Sequence, residues 1–282
     1  MSSPGSTTTL WPAQEVALRA LPWLLIAACT KVPPAALPSQ AGPATYRVGV
    51  AVASGNRSVT SVYTLQVAPV GDDTWSFATI HTEGSVETAH SALTYNSARP
   101  TSADPWPLTL QHAISTVPAA VRLDDSGRPA ELLKADAWRS AGRIAAEKTE
   151  LPTQAKQSAT SLLDTHGYLR DLCRNFPGTP PVDSTWTREE DVAGLPVRRI
   201  ETCTQIEEGR VTTWTCEGHI EGPTEGGSRL VDAKSTTTLR VDKHGMIDLH
   251  TTYEGTLVRM SLDGERVLDS PVAGQRKVVR VE

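Results

Sequence analysis

From Thr45 the chain alternates between apolar and smaller or polar positions. Tyr46, Val48, Val50 and Val52 mark one face, Ser54-Gly55-Asn56 supplies a turn, and Val59, Ser61, Tyr63, Leu65 and Val67 carry the same period onward. A period of two puts alternate side chains on opposite faces of a strand, so the pattern predicts a hairpin of half-buried strands. Val70-Gly71-Asp72-Asp73 turns the chain before a strand over 74–81, and Asp124-Asp125-Ser126-Gly127 joins 120–123 to 130–133 as a second hairpin. Pro105-Trp106-Pro107 reads as a break in this run, an edge or a loop.

Between Lys134 and Phe176 the period lengthens. Residues 134–150 are alanine-rich with interspersed charges, and Pro152 ends that helix. Thr153 can cap a second, on which Ala155, Ala159, Leu162, Leu163, Leu169, Leu172 and Phe176 recur at helical spacing until Pro177-Gly178-Thr179-Pro180-Pro181 stops it. Such a stripe is first of all a core-packing face. After Asp183 the alternation returns. Segments 197–205 and 210–217 flank Glu207-Glu208-Gly209, and 234–241 and 246–253 flank Asp242-Lys243-His244-Gly245. Residues 222–228 form a Gly-rich loop, and 265–281 supply one or two more strands. Strands, two helices, strands is an α+β order: a mostly antiparallel sheet with two central helices packed on it. The sheet is either a curved half-barrel or two related β-halves. The second option rests on a faint internal echo, an Asp shortly before Trp75 and again before Trp186.

With 282 residues there is room for one or two domains, and the pattern gives one β-rich domain over 45–282 with a helical insert at about 134–176. Hydrophobic residues at 39% and charged residues at 21% are ordinary globular usage, which excludes a disordered chain or a collagen-like fibre. Lys and Arg number 27 against 32 Asp and Glu, a balance of −5 that argues against binding nucleic acid by phosphate neutralisation.

The first forty residues carry the sharpest signal. Arg19 precedes the apolar run Leu21-Pro22-Trp23-Leu24-Leu25-Ile26-Ala27-Ala28, which ends at Cys29 and is far shorter than the roughly 20 residues of a spanning helix. Ile26-Ala27-Ala28-Cys29 resembles the bacterial lipobox, in which cleavage after the small residue leaves the cysteine first in the mature chain, bearing acyl chains. The resemblance implies a signal peptide over 1–28, cleavage between Ala28 and Cys29, and lipidation of Cys29. The membrane is then a partner through the lipid, each buried methylene adding about 0.8 kcal/mol to anchoring. Residues 29–44, rich in Pro and Ala, have the composition of an extended tether. Residues 1–18 hold Glu15 and neither Lys nor Arg, a poor start for a signal; translation from Val16 gives a better one, which would leave 1–15 untranslated. Thr30 rather than Asp after the cysteine implies, by resemblance to enterobacterial sorting, the outer membrane facing the periplasm.

An exported chain with Cys173, Cys203 and Cys216 is expected to form one disulfide. Cys203 and Cys216 lie in neighbouring predicted strands and are the first choice; Cys173 with either is the alternative, the odd thiol being buried. The stretch 161–217 also resembles a group of uncharacterised bacterial lipoproteins, in which an amphipathic helix ends in Leu-Pro or Phe-Pro before a PV-x-x-G/D-x-x-W segment and hairpins. Here Phe176-Pro177, Pro181-Val182, Asp183 and Trp186 match, although Asp183-Ser184-Thr185 replaces the usual Gly-Asp-Thr. The resemblance implies an envelope location and a β-rich fold, and no activity.

No nucleophile elbow, metalloprotease helix or phosphate loop occurs in the sequence. The Asp124–Gly127 turn lacks the ligand spacing of a calcium loop. Seven histidines, among them His81, His90, His219, His244 and His250, show no ligand spacing, so no metal or other cofactor is expected. Glu189-Glu190 and Glu207-Glu208 read as solvated turn carboxylates and Arg198-Arg199 as an exposed strand start. Trp75, Trp106, Trp138, Trp186 and Trp214 read as core bulk in a chain with two Phe. Three functional readings follow. The first is a non-enzymatic, membrane-anchored structural or binding module with an envelope protein as partner. The second is a periplasmic carrier or chaperone holding an apolar ligand in a curved sheet. The third is a hydrolase of unfamiliar type.

Overall fold

A computed structural model describes residues 43–281 except 72, 102–103, 182–183, 193–194, 224–227 and 261–265. Ala28, Cys29 and Asp183 lie outside the described residues. The chain first forms β1 (Ala44–Ser54), β2 (Arg57–Pro69), β3 (Thr74–Glu87) and β4 (Ala92–Asn96). Then come α1 (Trp106–Ser115), β5 (Ala119–Leu123), β6 (Pro129–Leu132), α2 (Ala135–Glu147), α3 (Thr153–Gln157), α4 (Ala159–Leu162) and α5 (Thr165–Asn175). The remainder is β7 (Thr185–Val192), β8 (Leu195–Glu208), β9 (Val211–Pro223), β10 (Ser228–Asp242), β11 (Gly245–Met260) and β12 (Arg266–Val281).

All the strands belong to one antiparallel sheet in the order β6-β5-β3-β2-β1-β12-β11-β10-β9-β8-β7, with β4 on β3. The two ends of the β-rich chain meet in the middle, where β1 pairs with β12. The early strands spread to one side and the late strands to the other, so α2 to α5 carry the chain from one sheet edge to the opposite edge. The segment 265–281 supplies the single strand β12.

Register shows what the alternation built. Trp214, Leu239, Leu249, Val278, Val48, Tyr63 and Thr82 stand opposite one another in turn across seven strands. The neighbouring row on the same face is more polar: Cys203, Cys216, Thr237, Thr251, Arg276, Val50, Ser61 and Gly84. The apolar row joins Leu110 and Ile114 of α1, Trp138 of α2 and Leu172 of α5 in the main core. Each large side chain so buried contributes about 1.5–3 kcal/mol. A second cluster, Ile220, Leu230, Ala233, Tyr253 and Val272, occupies the late strands. Opposite positions such as Arg47, Thr60, His250, Glu254, Gln275 and Lys277 are exposed, so the polar half of the alternation lies on the outer face.

Three expectations are corrected. Pro105-Trp106-Pro107 opens α1 instead of breaking the run. Pro105 is the extended N-cap and Pro107 lies in the first turn, where a fixed φ suits the helix and the missing N–H is not needed. The helix expected over 153–176 is three helices, and Thr153 is not its cap: Pro152 precedes α3 without a side-chain cap bond. Asp164 restarts the last piece, its carboxylate accepting from the N–H of His166 at 3.3 Å and of Gly167 at 2.9 Å. Arg199 is not an exposed strand start. It is 4% exposed, with Nη1 3.5 Å from Glu201 Oε1, and Ser235 Oγ donates to the same oxygen at 3.3 Å. A charge persists in such surroundings only when paired and hydrogen-bonded. Arg198, its neighbour, is exposed as expected. Trp75, Trp138 and Trp214 are core residues, while Trp106 and Trp186 are half-buried.

Candidate functional site

Between the helices and the inner face of β2 and β3 lies a cavity of about 100 Å³. Ser61 and Tyr63 reach it from β2 because they follow Val59 and precede Leu65 at the inward parity. Thr79 and Thr82 come from β3, Gln111, Ile114 and Ser115 from α1, and Tyr168, Asp171, Leu172 and Asn175 from α5. Exposed Gln111 on α1 and exposed Ser161 on α4 mark its mouth.

Asn175 is the centre of the polar wall. It is 2% exposed. Its Nδ2 donates to the Tyr63 hydroxyl at 2.9 Å, and its Oδ1 accepts from Nη1 of Arg276 on β12. The same Arg276 nitrogen reaches the backbone carbonyl of Asp171 at 3.5 Å. One amide therefore fastens α5 to two strands of the sheet. Burial raises the Tyr63 phenol above its ordinary value, although the Arg276 charge pulls the other way. Burial also raises that of Tyr168, whose ring lies 4.6 Å from that of Trp138. The Asp171 carboxylate accepts from Arg174 Nη1 at 2.8 Å.

A second network fastens α1. Thr82 Oγ1 and His112 Nδ1 are 2.9 Å apart, Ser97 Oγ and His81 Nδ1 are 3.0 Å apart, and the Thr82 N–H donates to Ser97 Oγ at 2.9 Å. Burial, reinforced by the nearby His81, holds the His112 pKa below its ordinary value and favours the neutral ring. Beside it, burial pushes the Tyr95 phenol up to about 12. Among the described residues no three His, Cys, Asp or Glu side chains are grouped to hold a metal ion.

The cysteines fall as first expected. Cys203 and Cys216 face each other across β8 and β9 with Cα atoms 4.0 Å apart and form a disulfide. Cys173 on α5 is buried and takes no part in that disulfide, its Sγ donating to the Pro129 carbonyl at 3.1 Å. Glu207 and Glu208 are exposed at the end of β8. Sequence reasoning placed Ser61 and Tyr63 on an inward face but singled out neither Asn175, Arg276 nor His112. The available signal was polar residues within inward-facing apolar stripes: Ser61 and Tyr63 between Val59 and Leu65, and Arg276 two residues before Val278.

No family model and no curated protein matches this chain. Among solved structures it is similar to lipovitellin, in a structure describing that protein's lipid–protein interactions, at 9% identity and a TM-score of 0.50. That match covers 85% of this chain and 25% of lipovitellin, so the chain spans about a quarter of lipovitellin's length. OccK2 (OpdF) of Pseudomonas aeruginosa in complex with glucuronate matches at 7% identity over 89% of this chain and 99% of its own, but its TM-score of 0.16 carries no argument. The likeness to lipovitellin is one of fold alone.

Proposed function

We propose that this chain is an exported, membrane-anchored protein, held by acyl chains on Cys29, whose β-rich body is a non-enzymatic binding module. The observation that supports it best is the cavity between α1, α5 and the sheet. It has a mixed polar and apolar lining and a mouth between helices, and belongs to a body otherwise packed by its own helices. The fold shared with part of lipovitellin, whose lipid–protein interactions that structure describes, favours a carrier as the second reading. At about 100 Å³ the cavity is too small for a whole acyl chain without movement of the helices.

The anchor reading fits the chain order. Fourteen residues, 30–43, separate Cys29 from β1. Pro-rich chains reach about 3.1 Å per residue, so a tether of that length spans at most roughly 40 Å. The test is detergent phase partition of the full chain expressed in a bacterial host, beside Cys29→Ser. Wild type in the detergent phase with the variant in the aqueous phase supports the anchor. Equal partition of the two contradicts it.

A further inference from the structure

On β2, Ser61 and Tyr63 lie two residues apart on the inward face, about 7 Å from one another along the strand. Ser61 is 9% exposed, and its hydroxyl lines the cavity with no hydrogen-bond partner among the described residues. A buried hydroxyl left in that state has lost its water without a replacement partner, so a ligand or water that engages it recovers an interaction. The Tyr63 oxygen accepts from Asn175, which Arg276 polarises in turn, and this leaves the phenolic proton to donate. Thr82, another hydroxyl of the lining, is paired with His112. The cavity therefore presents the Ser61 and Tyr63 hydroxyls as donors on one wall, with Leu65, Ile114, Leu162 and Leu172 around them.

We infer that this cavity is a binding site for an uncharged acyl ester, whose carbonyl oxygen accepts from Ser61 or Tyr63 while its short alkyl part lies among Leu65, Ile114 and Leu172. The ligand is uncharged because the Asp171 carboxylate in the lining disfavours an anion, while Arg174 already supplies that carboxylate with its cationic partner. Size sets the other limit. An engineered apolar cavity of about 150 Å³ holds benzene, so this one takes about four to six heavy atoms. The ester arrives either as a free small molecule or as one linkage of a membrane lipid. This inference deepens the binding-module reading and does not need the anchor.

The test is titration of the full-length Cys29→Ser chain with methyl acetate, an ester of five heavy atoms, and separately with micelles carrying a diacylglycerol, following backbone amide resonances. Saturable shifts confined to Ser61, Tyr63, Ile114 and Gly167 are expected. With methyl acetate alone they assign a diffusible ligand; with the micelles they assign a lipid ester. Tyr63→Phe keeps the ring and is expected to weaken binding about tenfold, and Ser61→Ala does the same duty if Tyr63→Phe melts early. No saturable shift with either probe, or unchanged affinity in both folded variants, overturns the site. Because the chain tested has no Cys29, failure here leaves the anchor untouched, and failure of the partition test leaves this result untouched.

Discussion

Tyr63 on β2 and Asn175 at the end of α5, 112 residues apart in sequence, are joined by a hydrogen bond of 2.9 Å. With Arg276 donating to the oxygen of the same amide, this contact holds the last helix down on the seam between the early and late halves of the sheet. It also builds the polar wall of the cavity, so docking of the helix and shaping of the site are one event.

Removal of that amide should be costly. Asn175→Ala deprives a buried phenol and a half-buried guanidinium of a partner each, and an unsatisfied group costs about 1–3 kcal/mol. The expected loss is roughly 2–4 kcal/mol, read as a lower urea midpoint. A loss under about 0.5 kcal/mol, the range of ordinary surface changes, would remove the bridge from the account.

Acid should weaken the fold in two stages. His112 has a lowered pKa in the native state, from burial first and His81 second, so the unfolded chain binds the proton more readily. Its contribution is therefore lost as pH falls below the ordinary histidine value near 6.5. Asp242 is lowered chiefly by its hydrogen bond from Arg280, with Nη2 2.7 Å from Oδ2. Its contribution is present above the ordinary value of 3.8 and is lost below it. Urea midpoints from pH 8 to 3 should show both steps, and His112→Gln should remove only the upper one.

Tyr253 of β11 lies over Gly274 of β12, its register partner. A methyl group at 274 would collide with the phenol ring at Cε1, Cζ and the hydroxyl. Gly274→Ala should cost about 1–3 kcal/mol by overpacking, and Tyr253→Leu in the same chain should recover part of that. Thermal unfolding of both single variants and the double variant measures the coupling; purely additive losses would mean that the ring moves aside freely.

The Cys203–Cys216 disulfide closes a sequence separation of 13 residues. Constraint of a loop that size lowers unfolded-chain entropy by an amount near 3 kcal/mol. Chemical denaturation with and without reductant should differ by about that much, while alkylation of the unfolded, unreduced chain should label Cys173 and not Cys203 or Cys216.

Much of the sheet was legible because its strands face water on one side and core on the other, which writes a period of two into residues such as Tyr46, Val48, Leu65 and Val67. The cross-strand cysteine pair followed from the same reading. The proline pair around Trp106 was misread because proline breaks a strand yet suits a helix's first turn, and only the tertiary setting decides between them. The breaks within 153–176 are invisible to apolar spacing, since Ala159, Leu163 and Leu172 all remain buried across them. The cavity was illegible for a different reason. Asn175, Arg276 and Tyr63 come from three distant segments, and nothing local distinguishes an asparagine at a helix end that bridges two strands from one that faces solvent.

Most directly, the account stands on the chemical state of Cys29. Intact mass of the protein recovered from membranes of its native host tests it. The account predicts a mature chain beginning at Cys29 with acyl chains attached and residues 1–28 gone. A protein that retains residues 20–28 and carries an unmodified Cys29 would contradict it.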